Sequence, residues 1–594
     1  MRRINLNLIF PLATIALLGG AMWAIHDRFI PIQEGWMQYY ALMTQKGLLP
    51  YKDFYYFTQP IPLFIVELIS KFGDRYMLYR YYGMIERSIL VLALYYLIAK
   101  HFSPTTSFIA VVTSAFLYQG FTVDILYTYY QTTLLFYLLA LICLERGRDS
   151  RQKWVYDGLV GGFASLAFFT KQSSGLLVSI LLLFMLTWYT AKYLLAQRTI
   201  SFLIGWAVPA CAIIIWLLKE QIFSQYLGQV FGGTSSKGSI PSILFGFWGQ
   251  GFALFYLGLF AFVSFILLLL WRAGILNIKV FNLSSRLPGD SNYLLPLVFL
   301  PYAAGGLLIP PNMNTAAIIN VLGSQYLTLW LYFTFYLITI ASVMIGIKWI
   351  FRKQLPFTKS VAELIVASFI WTYSTGLSGQ LEVYAGLLGT ALVLAFLIDC
   401  IQLNWKYYRL ILISASCLVL FVSAARRNQI LYDWWGWTEY GHNENAASAI
   451  PAFKGFNLSA NTAEIYDKIY FDIENNTSPN DYVYTYPYMT LFNYVTGRMQ
   501  PTFSPVAYFD VCPDSVAIAD ATRLKENPPK MIIYMEMPES IYKLHEEMFR
   551  NGQPSGQRNI DSAIYYITTR YNYNKIDSFV SPKWGWHIYV WLKP

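Results

Sequence analysis

The sequence predicts a mainly α, polytopic membrane helical bundle of about thirteen spans, followed by a C-terminal extracytoplasmic α/β domain. Three observations predict it. Only 13% of the 594 residues are charged, while 56% are hydrophobic and 18% aromatic. A soluble domain carries about 25% charged residues, so this chain cannot cover a globular surface with charge. Residues 252–271 and 325–347 carry no charge at all, and about 20 apolar residues cross a bilayer. Beyond residue 425 the character changes. Trp434, Trp435 and Trp437 sit where indole rings favour the headgroup layer, and short strand-like and helical stretches follow.

Met1-Arg2-Arg3 and the apolar run to Ile25 resemble a signal peptide but lack a clear small-residue cleavage site, so they are expected to remain as the first span. The other spans are expected near residues 79–100, 104–121, 125–144, 154–170, 174–191, 199–218, 247–271, 293–311, 325–347, 360–378, 383–399 and 408–425. Basic residues mark alternate loops: Arg146, Arg148, Arg151 and Lys153; Lys192 and Arg198; Arg272, Lys279 and Arg286; Lys348, Arg352, Lys353 and Lys359; Lys406 and Arg409. This is the positive-inside pattern. It places the N-terminus in the cytoplasm and the first loop and C-terminal part outside.

The first outer loop, residues 26–78, is too long for a turn. Within it Ile61 to Phe72 is apolar but too short to span, so it is expected to lie along the interface as an amphipathic helix. The bundle is expected to occupy 1–425 and the soluble domain 426–594. In the latter, Asp481 to Tyr486 and Lys530 to Met535 read as strands. Ser515 to Glu526 reads as a helix stopped by Pro528-Pro529. No Gly-rich phosphate loop or dinucleotide fingerprint is present.

Composition also excludes. The +10 net charge lies mostly in short loops between spans, so it reports topology rather than a nucleic-acid partner. Four of the five cysteines lie in or beside apolar segments, which leaves no disulfide framework and no C-x-x-C pattern. None of the five histidines pairs with a cysteine at metal spacing. The sequence requires no cofactor and does not indicate a divalent metal.

The chemistry concentrates in one stretch, Gln33-Glu34-Gly35-Trp36 through Pro50-Tyr51-Lys52-Asp53-Phe54 to Gln59-Pro60. Outside the cytoplasm there is no nucleotide sugar, so a sugar donor there is a polyprenyl phosphate held by a lipid bilayer. Its phosphate leaves without help from an acid but needs positive charge, and the acceptor hydroxyl needs one base. The carboxylate candidates are Glu34 and Asp53. Asp124 is a third, equally well read as a helix cap. The cation candidates are Lys171, between two apolar runs, and Arg80, at the start of the second span. A charge at membrane depth usually faces a cavity, although a lysine can also snorkel to headgroups. Arg498 reads as a solvated arginine. Gln33, Tyr56, Gln59 and Gln172 are candidate substrate-binding groups, since aromatic faces and amides suit a sugar ring.

These residues carry a family resemblance. Glu34-Gly35-Trp36-x-x-Tyr39-Tyr40-Ala41, Gly47-x-x-Pro50-Tyr51-x-Asp53-Phe54 and Pro60-x-Pro62-Leu63 resemble the first outer loop of GT-C glycosyltransferases. The likeness is to bacterial relatives of the protein O-mannosyltransferase and lipid A aminoarabinose transferase group. Arg80 and Thr170-Lys171-Gln172-x-x-Gly175 resemble further elements of that group. So do the stretch from Pro487 to Arg498 and Leu524-x-x-x-Pro528-Pro529. The resemblance implies a GT-C fold in a bacterial inner (plasma) membrane. It implies inverting transfer of a monosaccharide from a polyprenyl-phosphate donor to an extracytoplasmic acceptor. Many members carry an Asp-Glu pair whose Asp is catalytic. Here that position is Gln33, so either Glu34 or Asp53 holds the role. Lys171 and Arg80 would hold the donor phosphate.

Three rivals, catalytic and non-catalytic, stand against this reading. An O-antigen polymerase or ligase would carry a large late outer loop with paired arginines. A lipid-linked-sugar transporter or flippase would show paired halves of related hydropathy, which the sequence lacks. A membrane scaffold is the remaining non-catalytic alternative.

Overall fold

The computed structural model describes residues 6–23, 26–29, 35–73, 75–118, 127–188, 192–232, 251–272, 278–280, 315–351, 358–377, 381, 383–403, 430–434, 437–440, 446–509, 511–550, 552–581 and 585–594. The first half is helical: α1 (Leu6–Trp23), α2 (Trp36–Gln45), α3 (Pro60–Ser70), α4 (Met77–Ala99), α5 (Pro104–Tyr118), α6 (Tyr129–Asp149), α7 (Lys153–Phe168), α8 (Gln172–Trp188) and α9 (Lys192–Lys219). Further helices cover Gly251–Arg272, Thr315–Ile350, Lys359–Gly376 and Gly386–Cys400. Each predicted span therefore falls on a helix, except those at 293–311 and 408–425, which lie outside the described residues. Among the described residues three helices are long and apolar enough to cross a membrane: Met77–Ala99, Leu194–Lys219 and Trp330–Ile350. Six shorter apolar helices accompany them.

Lipid and core faces separate along α9. Ile200, Ile204, Val208 and Ile215 form an exposed stripe at helical spacing. The opposite side packs so tightly on α7 that only glycine fits. A Cβ on Gly205 would lie 1.8 Å from the Gly158 carbonyl oxygen, and one on Gly161 would lie 2.0 Å from that of Phe202. The bundle core gathers Leu90 and Leu94 of α4, Tyr137 and Leu141 of α6, Leu182 of α8, and Trp371. Charges cluster at the predicted cytoplasmic end. Arg148 pairs with Glu145 and Glu363, Lys100 lies 3.0 Å from Glu145, and Arg198 lies 2.7 Å from Asp157.

The C-terminal part builds a four-stranded sheet from Val483–Tyr486, Met531–Met535, Asn574–Val580 and His587–Leu592. The first two strands pair in parallel, the last strand sits antiparallel between the second and third, and the third forms an edge. Helices Ala460–Asn476, Asp514–Glu526 and Gln557–Arg570 supply Ile469, Ala521 and Ile564 to its core. The two predicted strands and the predicted helix appear here, the helix starting one residue earlier, at Asp514.

The first outer loop lies between these two parts and is bonded to both. Its α3 begins at Pro60, whose fixed φ suits a first helical position. Leu68 and Phe72 face out, and Lys71 lies 3.5 Å from Glu67 one turn away. On the other side the Tyr39 hydroxyl accepts from the Gln500 amide (3.0 Å), the Tyr55 amide donates to Phe503 O (2.8 Å), and the Asn457 amide donates to Asp27 O (2.7 Å).

Candidate active site

The Thr170-Lys171 turn anchors the site. The Lys171 amide donates back to Ala167 O (3.0 Å), closing α7, and Lys171 O accepts from the Gly175 amide (2.9 Å), opening α8. A Cβ on Gly175 would lie 2.2 Å from the Phe168 α-carbon, so glycine alone lets α8 start against the end of α7. The turn thereby buries Lys171, which is 6% exposed. Its Nζ stands 3.9 Å from the centroid of the Tyr130 ring, a cation–π contact.

The first loop docks on this turn. The Ile61 amide donates to Phe169 O (3.1 Å), which brings the residues before α3 beside Lys171. Gln59 is fully buried, and its Oε1 accepts from the Tyr226 hydroxyl (2.8 Å). Among the described residues its Nε2 has no hydrogen-bond partner. The Tyr56 amide donates to Gln229 Oε1 (3.0 Å), Gln229 Nε2 donates to Tyr51 O, and Gln172 Nε2 donates to Val230 O (3.2 Å). Tyr40, Tyr51 and Tyr56 form a nest with ring centroids 4.9 and 5.6 Å apart. Burial pushes all three phenols well above their ordinary range, so they stay neutral donors.

The structure thus gathers Lys171, Gln172, Gln59 and Tyr56 around one corner. Asp53 and Arg80 are held otherwise. The exposed Asp53 carboxylate accepts from the Leu49 amide (2.8 Å), closing its own turn, in which Tyr51 has φ 68°. Arg80 is wholly buried in the first turn of α4. Its Nη2 donates to Arg28 O (3.0 Å), and its guanidinium lies 5.5 Å from the Phe456 ring, so it ties the loop to the C-terminal part. Gln33 and Glu34 lie outside the described residues, as does Asp124. The adjoining Gly35 is described: it has φ 94°, and its amide donates to the Tyr76 hydroxyl (3.0 Å).

Sequence reasoning missed Tyr226 and Gln229, which follow α9 and reach back to the loop. It also passed over Thr132, whose hydroxyl donates to Glu86 Oε1 (2.5 Å). A buried carboxylate inside a predicted span is itself a signal of function. Among the described residues no group of three or more His, Cys, Asp and Glu gathers as a metal would need.

Residues 59–217 match the family model described as dolichyl-phosphate-mannose-protein mannosyltransferase. No curated protein sequence matches the chain. Solved structures with a similar course include ArnT from Cupriavidus metallidurans bound to undecaprenyl phosphate. It is 11% identical with a TM-score of 0.41, covering 98% of this chain and 97% of that one. The archaeal oligosaccharyltransferase AglB from Archaeoglobus fulgidus, in complex with an inhibitory peptide and a dolichol-phosphate, is 13% identical with a TM-score of 0.46. It covers 99% of this chain and 74% of that one. The family match takes in Gln59, Arg80, Lys171 and Gln172, and over residues 59–217 it bears out the resemblance to GT-C glycosyltransferases.

Proposed function

We propose that the protein is an integral membrane glycosyltransferase that moves a monosaccharide, with inversion, from a polyprenyl-phosphate donor to an extracytoplasmic acceptor. The observation that carries this reading is Lys171: a buried ammonium at the end of an apolar helix, under a loop of amides and phenols, inside the family-matched stretch. Such a cation suits a phosphate brought in on a lipid. In the reaction the anomeric carbon–oxygen bond to the phosphate breaks as the acceptor oxygen bonds to the opposite face. The phosphate leaves with the electron pair, and Lys171 offsets its charge. The acceptor proton passes to a carboxylate. Glu34 is the first candidate for that base. Asp53 is second, because its carboxylate is exposed and already accepts from Leu49. Gln59, Tyr56, Gln172 and Gln33 would orient the sugar. In this reading the membrane is a bacterial inner membrane, with the N-terminus in the cytoplasm and the C-terminal part outside.

The test is to incubate purified protein with labelled polyprenyl-phosphate sugars and a membrane extract. The expected result is a labelled product that a folded Glu34→Gln variant does not make. Absence of product from every donor overturns the reading.

A further inference from the structure

Gln131 stands in the first turn of α6 and is only 2% exposed. Among the described residues neither its Nε2 nor its Oε1 finds a hydrogen-bond partner. Leaving a buried polar group unsatisfied costs about 1–3 kcal/mol, and native proteins keep few such groups. An apolar side chain of the same size would serve the fold better. The amide is therefore held for something other than packing.

Its neighbours say what. Tyr130, on one side, carries the ring that faces the Lys171 ammonium at 3.9 Å. Thr132, on the other, donates to the Glu86 carboxylate, itself 3% exposed. Tyr127 lies four residues before Gln131, in the stretch that leads into α6 through the extended Thr128 (φ −133°, ψ 133°). Its ring packs at 5.6 Å against Tyr82, and it belongs to the buried cluster that holds Tyr40, Tyr56 and Phe169. Glu86 and Tyr127 are thus both brought to the start of α6, the carboxylate by its bond from Thr132 and the phenol by its place just before the helix. Gln59 Nε2 is a further buried donor in need of an acceptor.

We infer that Gln131, with Glu86 and Thr132 beside it and Lys171 beyond Tyr130, forms the subsite that binds the hydroxyl groups of the transferred sugar ring. This rests on the transferase reading proposed above. A phosphate accounts for Lys171 but not for Glu86, which would repel it. A sugar hydroxyl both donates and accepts, so it answers a carboxylate, an amide and a phenol together. The phosphate at Lys171 and the ring at Gln131 would then be two ends of one glycosyl phosphate.

The test compares full-length Gln131→Leu and Gln131→Met with the wild type, using the polyprenyl-phosphate sugar the wild type accepts and its single-deoxy analogues. Both variants are expected to melt at or above the wild-type temperature. Their kcat/KM should fall about 10- to 100-fold, and discrimination against one deoxy analogue should collapse, because a site built to bond a hydroxyl rejects the ligand that lacks it. Variants that melt higher yet transfer and discriminate as the wild type overturn the subsite. Two variants that both melt well below the wild type make Gln131 structural and overturn it as well. A wild type that transfers from no donor removes the transferase reading itself, and the subsite with it.

Discussion

Gly35 lies against the backbone of Leu491: a Cβ placed on it would fall 2.3 Å from the Leu491 α-carbon. The same glycine has φ 94°. The residue after Glu34 is therefore glycine for two reasons, one conformational and one steric, and the steric one joins the first loop to helix Leu491–Thr496. Gly47 provides the control, with φ 85° and open space around it. Gly47→Ala should cost only the left-handed penalty, about 1–2 kcal/mol. Gly35→Ala should cost more and also loosen the loop from the C-terminal part. Thermal melting and limited proteolysis of the two variants check this.

Lys171→Met keeps the stem and removes the charge. A buried ammonium is costly to the fold, so melting should hold steady or rise. Loss of a cation aimed at a leaving phosphate should lower transfer by about 10²–10³-fold. Lys171→Arg should not rescue fully, since a planar fork does not replace a point charge seated on the Tyr130 ring. Steady-state transfer assays beside melting curves decide the matter.

The two carboxylate candidates should separate cleanly. Asp53→Asn weakens a turn closed by the Leu49 amide and should cost about 0.5–2 kcal/mol of local stability, with transfer changed little. Glu34→Gln should lower kcat by about 10²–10⁴-fold with the fold intact, as loss of a general base does. The reverse pattern of rates would make Asp53 the base.

Gln229 holds the loop through the Tyr56 amide and Tyr51 O. Gln229→Ala should raise the KM for donor several-fold while the bundle melts nearly as before. Hydrogen exchange should speed at Tyr56 and its neighbours, which a direct measurement by mass spectrometry can show.

The C-terminal part carries two groups of opposite pH sense. Burial, with the Arg550 charge adding to it, lowers His545 to about 4. The unfolded chain therefore takes up that proton first, and this stability is lost as pH falls from about 6.5 towards 4. Burial raises Asp561 to about 6 against the opposing bonds from Tyr542, Tyr534 and Tyr486. The folded chain holds that proton longer, so this stability is lost as pH rises from about 4 to 6. The two slopes oppose each other. Asp561→Asn should make the domain more acid-sensitive between pH 4 and 6, and His545→Phe less so, in denaturation series run across that range.

Hydropathy was enough to place a helix at each predicted span that falls among the described residues, because a helix in lipid must be apolar along its whole length. Pro60 and the Asp481 and Lys530 stretches likewise carried their elements in local pattern. Contacts made across long separations were not legible. Arg498 reads as solvated in a Thr-Gly-Arg turn, yet it is 6% exposed. It pairs with Glu474, and its Nη2 donates to Thr477 O at 3.0 Å. Arg80 reads as a phosphate or headgroup contact until Phe456 and Arg28 O are seen against it. Gln229 reaches Tyr56 from 173 residues along the chain, and no periodicity announces such a pairing.

The glycine contact between α7 and α9 has a consequence for how this chain can change. Main chain resting on main chain gives α7 no play to roll or slide, and Lys171 follows directly from its end. The ammonium is thus mounted on a fixed strut, its bearing decided by glycines well back along the helix. On the transferase reading proposed above, a new sugar would have to be accommodated by trimming the side chains opposite, for the lysine itself cannot be shifted without rebuilding two helices at once.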